Sequence, residues 1–175
     1  MKVQQPNITY DVSRLAPVIS TTSFQHHLSL NTEYIENFDN GIGDIPFNKA
    51  AAYLHKLFFE NIREYRENDM PIGKVAQLIE LRYGNAQNFV KTYIETVEKL
   101  QGSGWVFMNT AGYLNIIPNN RIVDNIAFVI DFWEHAYWDR YCNNRKQYAM
   151  DMLRLIDWSV VNQRILDAKN KKSND

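Results

Sequence analysis

The sequence has little cysteine, proline or glycine. Its 175 residues include one cysteine, Cys142, with five prolines and seven glycines. A single cysteine cannot form a disulfide within the chain, which fits a reducing compartment. Collagen-like and low-complexity classes need far more glycine or proline, so we do not expect them here. With 45% apolar residues, the composition is that of an ordinary globular protein.

Excess charge and long apolar runs are also missing. The 19 basic residues against 20 acidic ones give a formal net charge of −1, so we expect no broad basic surface for nucleic acid or anionic lipid. No apolar run exceeds five residues, as in 126–130, whereas a membrane span needs about 20. No apolar segment follows Lys2, which argues against a secretory signal. We therefore expect a soluble cytoplasmic protein with no nucleic-acid or membrane partner.

The first part of the chain predicts two helices. Residues 1–15 contain proline and predict an extended arm, and the hydroxyls of residues 20–23 can cap a helix that runs to about Phe38. Glycine and proline at 39–46 end that helix. Apolar residues at helical spacing then predict a second helix from about Asn48 to Glu67. Two helices joined by a short turn pack most simply as an antiparallel hairpin.

The second part mixes helices with strands. We predict helices over about 72–82 and 86–100, short strands over 105–108, 113–117 and 126–131, and helices over 134–142, 146–156 and 159–168. The predicted fold class is α+β: an N-terminal antiparallel α-hairpin followed by an α/β unit with a small three-stranded antiparallel sheet and flanking helices. The predicted domains are residues 1–67, arm and hairpin, and residues 68–175.

Histidines offer the clearest chemistry in the sequence. There are four: His26, His27, His55 and His135. A lone histidine on a helix is more often a packed core residue than a ligand. An antiparallel hairpin, however, brings His26 near His55, while His135 follows Asp131 by four residues, about one helical turn. Three imidazoles and one carboxylate suit Zn, Fe, Mn or Co, whereas the alternative is a helical protein with scattered histidines.

Several strings resemble one known family. Residues Asp131 to Tyr137 read DFWEHAY, which closely resembles the D-x-W-E-H-A-Y signature of iron/manganese superoxide dismutases. The order of further strings agrees over about residues 14–166: LAPVIS at 15–20 before two histidines and Tyr34, YG…NF at 83–89, GSGW at 102–105, and IDW at 156–158. The sequence therefore resembles this family along nearly the whole length of the chain.

The resemblance implies a metal centre and a reaction. Its metal ligands would be His26, His55, Asp131 and His135, with His27 as a neighbour, and the ion would be one Mn or Fe per subunit. The implied reaction is the dismutation of superoxide to dioxygen and hydrogen peroxide. Zinc cannot perform it because zinc has no accessible second redox state.

The same resemblance assigns roles around the metal. Tyr34 would close the substrate funnel and help deliver protons. Glu134 would reach across a homodimer interface to the ligand histidine of the other subunit and orient it. Trp105 and Trp133 would form apolar walls that keep the site dry.

The sequence also departs from the family close to this site. The family carries a glutamine that hydrogen-bonds solvent at the metal, and Pro118-Asn119-Asn120 stands where P-N-Q is expected, so Asn120 would replace it. The other position where the family places this glutamine, four residues before the second ligand, is Ala51. These changes keep open an alternative, in which the fold binds a metal or a partner with weak or no dismutase activity.

Overall fold

Two helices form a hairpin at the start of the computed structural model, which describes residues 3–173. After a short 3₁₀ helix at Val12–Leu15, helix α1 spans Thr21–Asp39 and helix α2 spans Ile45–Glu60. The side chain of Ser20 caps α1 by accepting from the Ser23 amide at 3.0 Å. Asp44 caps α2 in the same way through the Phe47 amide at 3.0 Å. The α-hairpin predicted from the sequence is therefore present.

Helix α2 ends seven residues before the predicted Glu67. Asn61 stops it: its backbone N–H bonds to carbonyls of the last turn, and its side-chain amide donates to the Phe58 oxygen at 3.0 Å. Ile62 then forms an isolated bridge with Ile156. The apolar residues past Asn61 thus pack as extended chain, which helical spacing alone could not reveal.

The remaining elements build the sheet and its flanking helices. Their bounds are α3 Gly73–Tyr83, α4 Ala86–Lys99, β1 Gly104–Asn109, β2 Leu114–Pro118, β3 Ile126–Asp131, α5 Glu134–Tyr141, α6 Arg145–Met152 and α7 Trp158–Ser173. The strands form one antiparallel sheet in the order β2-β1-β3. The predicted α+β class with a three-stranded antiparallel sheet is confirmed.

The sheet register places the end of β3 beside the hairpin. In the central strand, Trp105 lies opposite Asp131 of β3 and Ile117 of β2. All six residues of β3 are buried, and α2 packs against this strand. One continuous apolar core joins the hairpin, the sheet and α7.

The division into residues 1–67 and 68–175 stays a prediction. Within residues 3–173, none of the helices is both long enough and apolar enough to cross a membrane.

Candidate metal centre

Three imidazoles surround one carboxylate where β3 ends. Asp131 Oδ2 lies 3.1 Å from His27 Nε2, 3.2 Å from His135 Nε2 and 3.5 Å from His55 Nε2. The four ligand atoms all lie within 4.8 Å of one another. Atoms bound to one ion at about 2.1 Å are roughly 3 to 3.6 Å apart at ordinary coordination angles. The three distances from Asp131 Oδ2 lie in this range, so small adjustments of the imidazoles would bring all four atoms onto one cation.

Each of these side chains comes from a different element. His27 projects from α1 and His55 from α2, and both are buried in the hairpin interface. Asp131 is the last residue of β3, and His135 lies in the first turn of α5, with its side chain 26% exposed. The hairpin and the sheet must both fold before the four groups meet.

Hydrogen bonds orient the ligand atoms. His55 Nδ1 donates to the Ala51 carbonyl at 2.7 Å, which leaves the lone pair of Nε2 free, and that buried nitrogen has no hydrogen-bond partner. Asp131 Oδ1 accepts from the Trp133 backbone N–H at 2.7 Å, so Oδ2 is the oxygen that faces the histidines. Such outer contacts fix both the tautomer and the orientation of metal ligands.

Burial sets the protonation of the group. It lowers the pKa of His55 to about 3, and the nearby His27 adds to this shift. Burial also lowers the pKa of His27, although the hydrogen bond that its imidazole makes to the Asp131 carboxylate acts in the opposite direction. Burial alone would raise the pKa of Asp131, but the imidazoles of His135 and His27 outweigh it and the net shift is downward. The buried donors at neutral pH are thus a carboxylate and neutral imidazoles.

This donor set fits a first-row transition metal. A fully buried carboxylate facing neutral imidazoles has a negative charge that a cation would balance. The unpartnered Nε2 of His55 supplies an orphaned lone pair aimed at the same point. Three imidazole nitrogens with one carboxylate oxygen suit Mn, Fe or Zn better than Mg or Ca.

Comparisons with known proteins identify the family. A family model described as the C-terminal domain of iron/manganese superoxide dismutases matches residues 71–164. A superoxide dismutase (Mn/Fe) of Porphyromonas gingivalis is 32% identical over 90% of this chain and 96% of its own length.

The chain belongs to the iron/manganese superoxide dismutase family. A superoxide dismutase (Fe) of Bacteroides fragilis is 28% identical, over 94% of this chain and all of its own length. A mitochondrial superoxide dismutase (Mn) of Aspergillus niger is 27% identical, over 95% and 94%. These alignments extend over the hairpin, so the family relation covers both parts of the metal centre.

The structure corrects one ligand within this superoxide dismutase fold. His26, expected as a ligand, is exposed on α1, whereas its neighbour His27 is 5% exposed and joins the cluster. The buried residues of α1 are Phe24, His27, Asn31 and Ile35, which recur every three or four positions. His26 lies about 100° from that face. The spacing from Phe24 to Ile35 is the sequence signal that selects His27.

Tyr34 lies beside the cluster. Its ring centroid is 5.4 Å from that of His55 and 6.1 Å from that of Phe47. Burial raises the pKa of Tyr34, and the negative charges of Asp131 and Glu33 add to the shift. Tyr34 therefore keeps its proton at neutral pH. Phe47, which our sequence reasoning did not single out, lies in the first turn of α2 and contacts both Tyr34 and Trp133.

Trp105 and Asn120 form a pair next to the site. The Trp105 ring is fully buried and meets the His55 ring edge to face at 4.9 Å. Its indole N–H donates to Asn120 Oδ1 at 2.8 Å. The Asn120 amide nitrogen is buried and has no hydrogen-bond partner. Asn120 thus has a free donor and reaches the cluster through Trp105, whose ring contacts His55.

Trp133 and Glu134 directly precede His135 in the chain. The Trp133 ring stacks on the His135 ring at 6.1 Å between centroids and contacts Phe47. Trp105 thus contacts His55, and Trp133 contacts His135. Glu134, the first residue of α5, is exposed. Its position leaves the carboxylate accessible to a second subunit.

A cavity of about 620 Å³ opens beside this group. Its lining includes Phe47 and Asn120, each of which contacts an aromatic side chain that touches a ligand histidine. Lys49 and Arg121 also line it, with Asp44 as the acidic side chain. On each of these routes, two side chains separate the cavity from His55: Phe47 and Tyr34, or Asn120 and Trp105.

Proposed function

We propose that this protein is a superoxide dismutase that converts superoxide to dioxygen and hydrogen peroxide at a mononuclear Mn or Fe site. The observation that carries the proposal is the convergence of His27, His55 and His135 on Asp131 in a chain of this family. The family relation supports a redox metal at this position, and the donor set provides the groups that can hold it.

The reaction needs one-electron redox chemistry and two protons. A bound Mn or Fe ion would supply the redox chemistry by alternately accepting and donating one electron. The four ligand side chains would hold the ion, with Asp131 supplying the negative charge that favours its oxidised state. The buried Trp105 ring helps to keep water away from His55, which strengthens the electrostatic contacts of that imidazole.

Tyr34 and Asn120 are our candidates for proton and hydrogen-bond donation. Each pair of superoxide ions consumes two protons when one dioxygen and one hydrogen peroxide form. The raised pKa of Tyr34 keeps its hydroxyl protonated at neutral pH, where it can donate. The unpartnered amide nitrogen of Asn120 supports the view that it stands in for the family's glutamine. The Tyr34 assignment rests on its ring contact with His55, and the Asn120 assignment on its link to His55 through Trp105.

The test is superoxide consumption by the purified protein. We would load it with Mn and with Fe, and measure superoxide decay per bound ion by stopped-flow spectroscopy. Asp131→Asn should abolish both metal retention and turnover, whereas Asp124→Asn, an exposed change just before β3, should leave both intact. Metal retention without catalysed decay would reject the dismutase proposal in favour of a metal-binding role.

We also propose a symmetric homodimer located in the cytoplasm. The exposed Glu134 beside His135 supports a contact in which each Glu134 approaches His135 of the other subunit. The single cysteine supports a reducing compartment. Sedimentation of the purified protein as a monomer at micromolar concentration would contradict the dimer, and fractionation of the source cells tests the location.

A further inference from the structure

The outer edge of β3 is covered by side chains. In the sheet order β2-β1-β3, this strand pairs with β1 on one side. Just after β3, the Phe132 N–H donates to the oxygen of Gly104, the first residue of β1. Because alternate residues of a strand direct their backbone groups to opposite edges, Val129 and Asp131 direct theirs outward. In the part of the chain that the structure describes, no strand lies on this side of β3, so the backbone N–H and carbonyl oxygen of Val129 need hydrogen-bond partners from another part of the chain.

Asn61 satisfies them. Its side-chain oxygen accepts from the Val129 N–H at 2.8 Å, and its amide nitrogen donates to the Val129 oxygen at 3.3 Å. The side chain is 0% exposed and thus copies the two-bond pattern of a neighbouring strand. The residue that ends α2 is also the one that joins α2 to β3.

Arg164 of α7 reinforces this junction. Its guanidinium donates to Asn61 Oδ1 at 3.4 Å, to the Ala127 oxygen at 3.1 Å and to the Leu57 oxygen at 3.2 Å. One side chain therefore bonds to the strand, to the helix end and to Asn61. The amide of Asn61 is held in one orientation.

The junction lies close to two ligands of the metal centre. Asn61 follows His55 by six residues, about 9 Å along the helix, and Val129 precedes Asp131 by two residues, about 7 Å along the strand. Sliding β3 by one residue would move Asp131 by about 3.3 Å. Metal–ligand distances tolerate only about 0.2 Å, so the register between α2 and β3 has to be fixed.

We propose that Asn61 is a positioning residue whose pairing with Val129 sets the separation of His55 and Asp131. The inference rests on the metal centre proposed above and deepens it. Asn61 touches neither the ion nor the substrate. Its effect is on how tightly the site holds the metal and on the symmetry of the ligand field.

Two substitutions test this, with a matched pair on the same helix. Asn61→Asp keeps an acceptor for the Val129 N–H and for Arg164 but places a carboxylate oxygen against the Val129 oxygen. Asn61→Leu removes every side-chain hydrogen bond at this position. Asn48 provides the control because it is also a buried asparagine of α2, bonding to the Ile42 oxygen at 2.8 Å. Asn48→Asp and Asn48→Leu remove the same groups far from the Val129 contact.

The measurements are the rate of metal release to a chelator, the electron paramagnetic resonance spectrum of the Fe(III) protein, and urea unfolding of the metal-free protein. We expect the Asn61 variants to release metal about 10 to 100 times faster than the wild type, the range typical of lost outer contacts to ligands. We also expect a changed spectrum. The Asn48 variants should lose stability with release rate and spectrum unchanged. If Asn61→Leu fails to fold, Asn61→Asp carries the comparison.

Each outcome decides the point. Asn61 variants that lose stability while keeping the wild-type release rate and spectrum would overturn the positioning role, as would equal effects at Asn48. A wild-type protein that binds metal without dismutating superoxide would reject the proposed function and leave the comparison of release rates valid. A wild-type protein that retains no Mn or Fe would overturn both.

Discussion

Replacing Trp105 with phenylalanine should destabilise the protein by about 2 to 3 kcal/mol. The indole is fully buried, and the smaller ring leaves a gap of roughly 40 Å³, worth about 1 kcal/mol. The lost N–H also leaves Asn120 Oδ1 without its donor, which costs about 1 to 2 kcal/mol. For a chain of this length the melting temperature should fall by roughly 4 to 12 °C.

Trp133→Phe is the matched control for this prediction. The Trp133 indole N–H has no hydrogen-bond partner, and its ring is only partly buried. Trp133→Phe therefore removes a similar volume without removing a hydrogen bond. It should lower the free energy of unfolding by about 1 kcal/mol or less. Urea unfolding of both variants, monitored by circular dichroism, measures the difference. A double-mutant cycle with Asn120→Ala should give a coupling of about 1 kcal/mol between Trp105 and Asn120.

The same change should lower turnover, because Asn120 loses the contact that orients its amide. We expect fewer superoxide ions consumed per bound metal in Trp105→Phe than in Trp133→Phe. Equal stability losses in the two variants, together with an additive cycle, would refute the reasoning, since the Trp105–Asn120 bond would then carry no free energy.

Three further predictions concern single side chains. Asn120→Gln should raise turnover per metal ion because it extends the amide by one methylene toward the site, and unchanged turnover would show that Asn120 does not act there. Glu134→Ala should weaken both the dimer and metal retention, which sedimentation and metal analysis measure, whereas a full metal complement in a stable dimer would refute the Glu134–His135 contact. The metal-free protein should lose about 1.4 kcal/mol of stability between pH 7.5 and 5.5 through His55, because its pKa of about 3 when folded lies below the ordinary 6.5 of the unfolded chain, which therefore takes up the proton first. His55→Gln should flatten the urea-derived pH profile by that amount, and an unchanged slope would contradict it.

Local pattern predicted most of the architecture. The capping hydroxyls and the Gly and Pro breakers predicted the hairpin, and the apolar runs with their turns predicted all three strands. Helix α2 was predicted seven residues too long because its end depends on Asn61 contacting Val129, 68 residues away. A contact between residues so far apart in the chain does not affect the spacing of apolar residues from which the helix was predicted.

The sequence predicted a site of three histidines and one aspartate, and one of the histidines was wrong by a single position. The family resemblance selected His26 and made His27 its neighbour, whereas the buried face of α1 places His27 in the cluster. The placement of Asn120 beside Trp105 was likewise beyond the sequence, because it depends on the path of the chain after β2. A one-residue error on a helix rotates a side chain by about 100°, enough to move it from core to solvent.

The central claim is that His27, His55, Asp131 and His135 together hold one catalytic Mn or Fe ion. The adjacent histidines provide the most direct test, because His26 and His27 differ in position by one residue and in nothing chemical. The measurement is bound metal per chain and superoxide turnover for His26→Gln and His27→Gln. We predict one ion per chain with wild-type turnover for His26→Gln, and loss of both for His27→Gln. Full metal and turnover in His27→Gln, with loss in His26→Gln, would contradict the account.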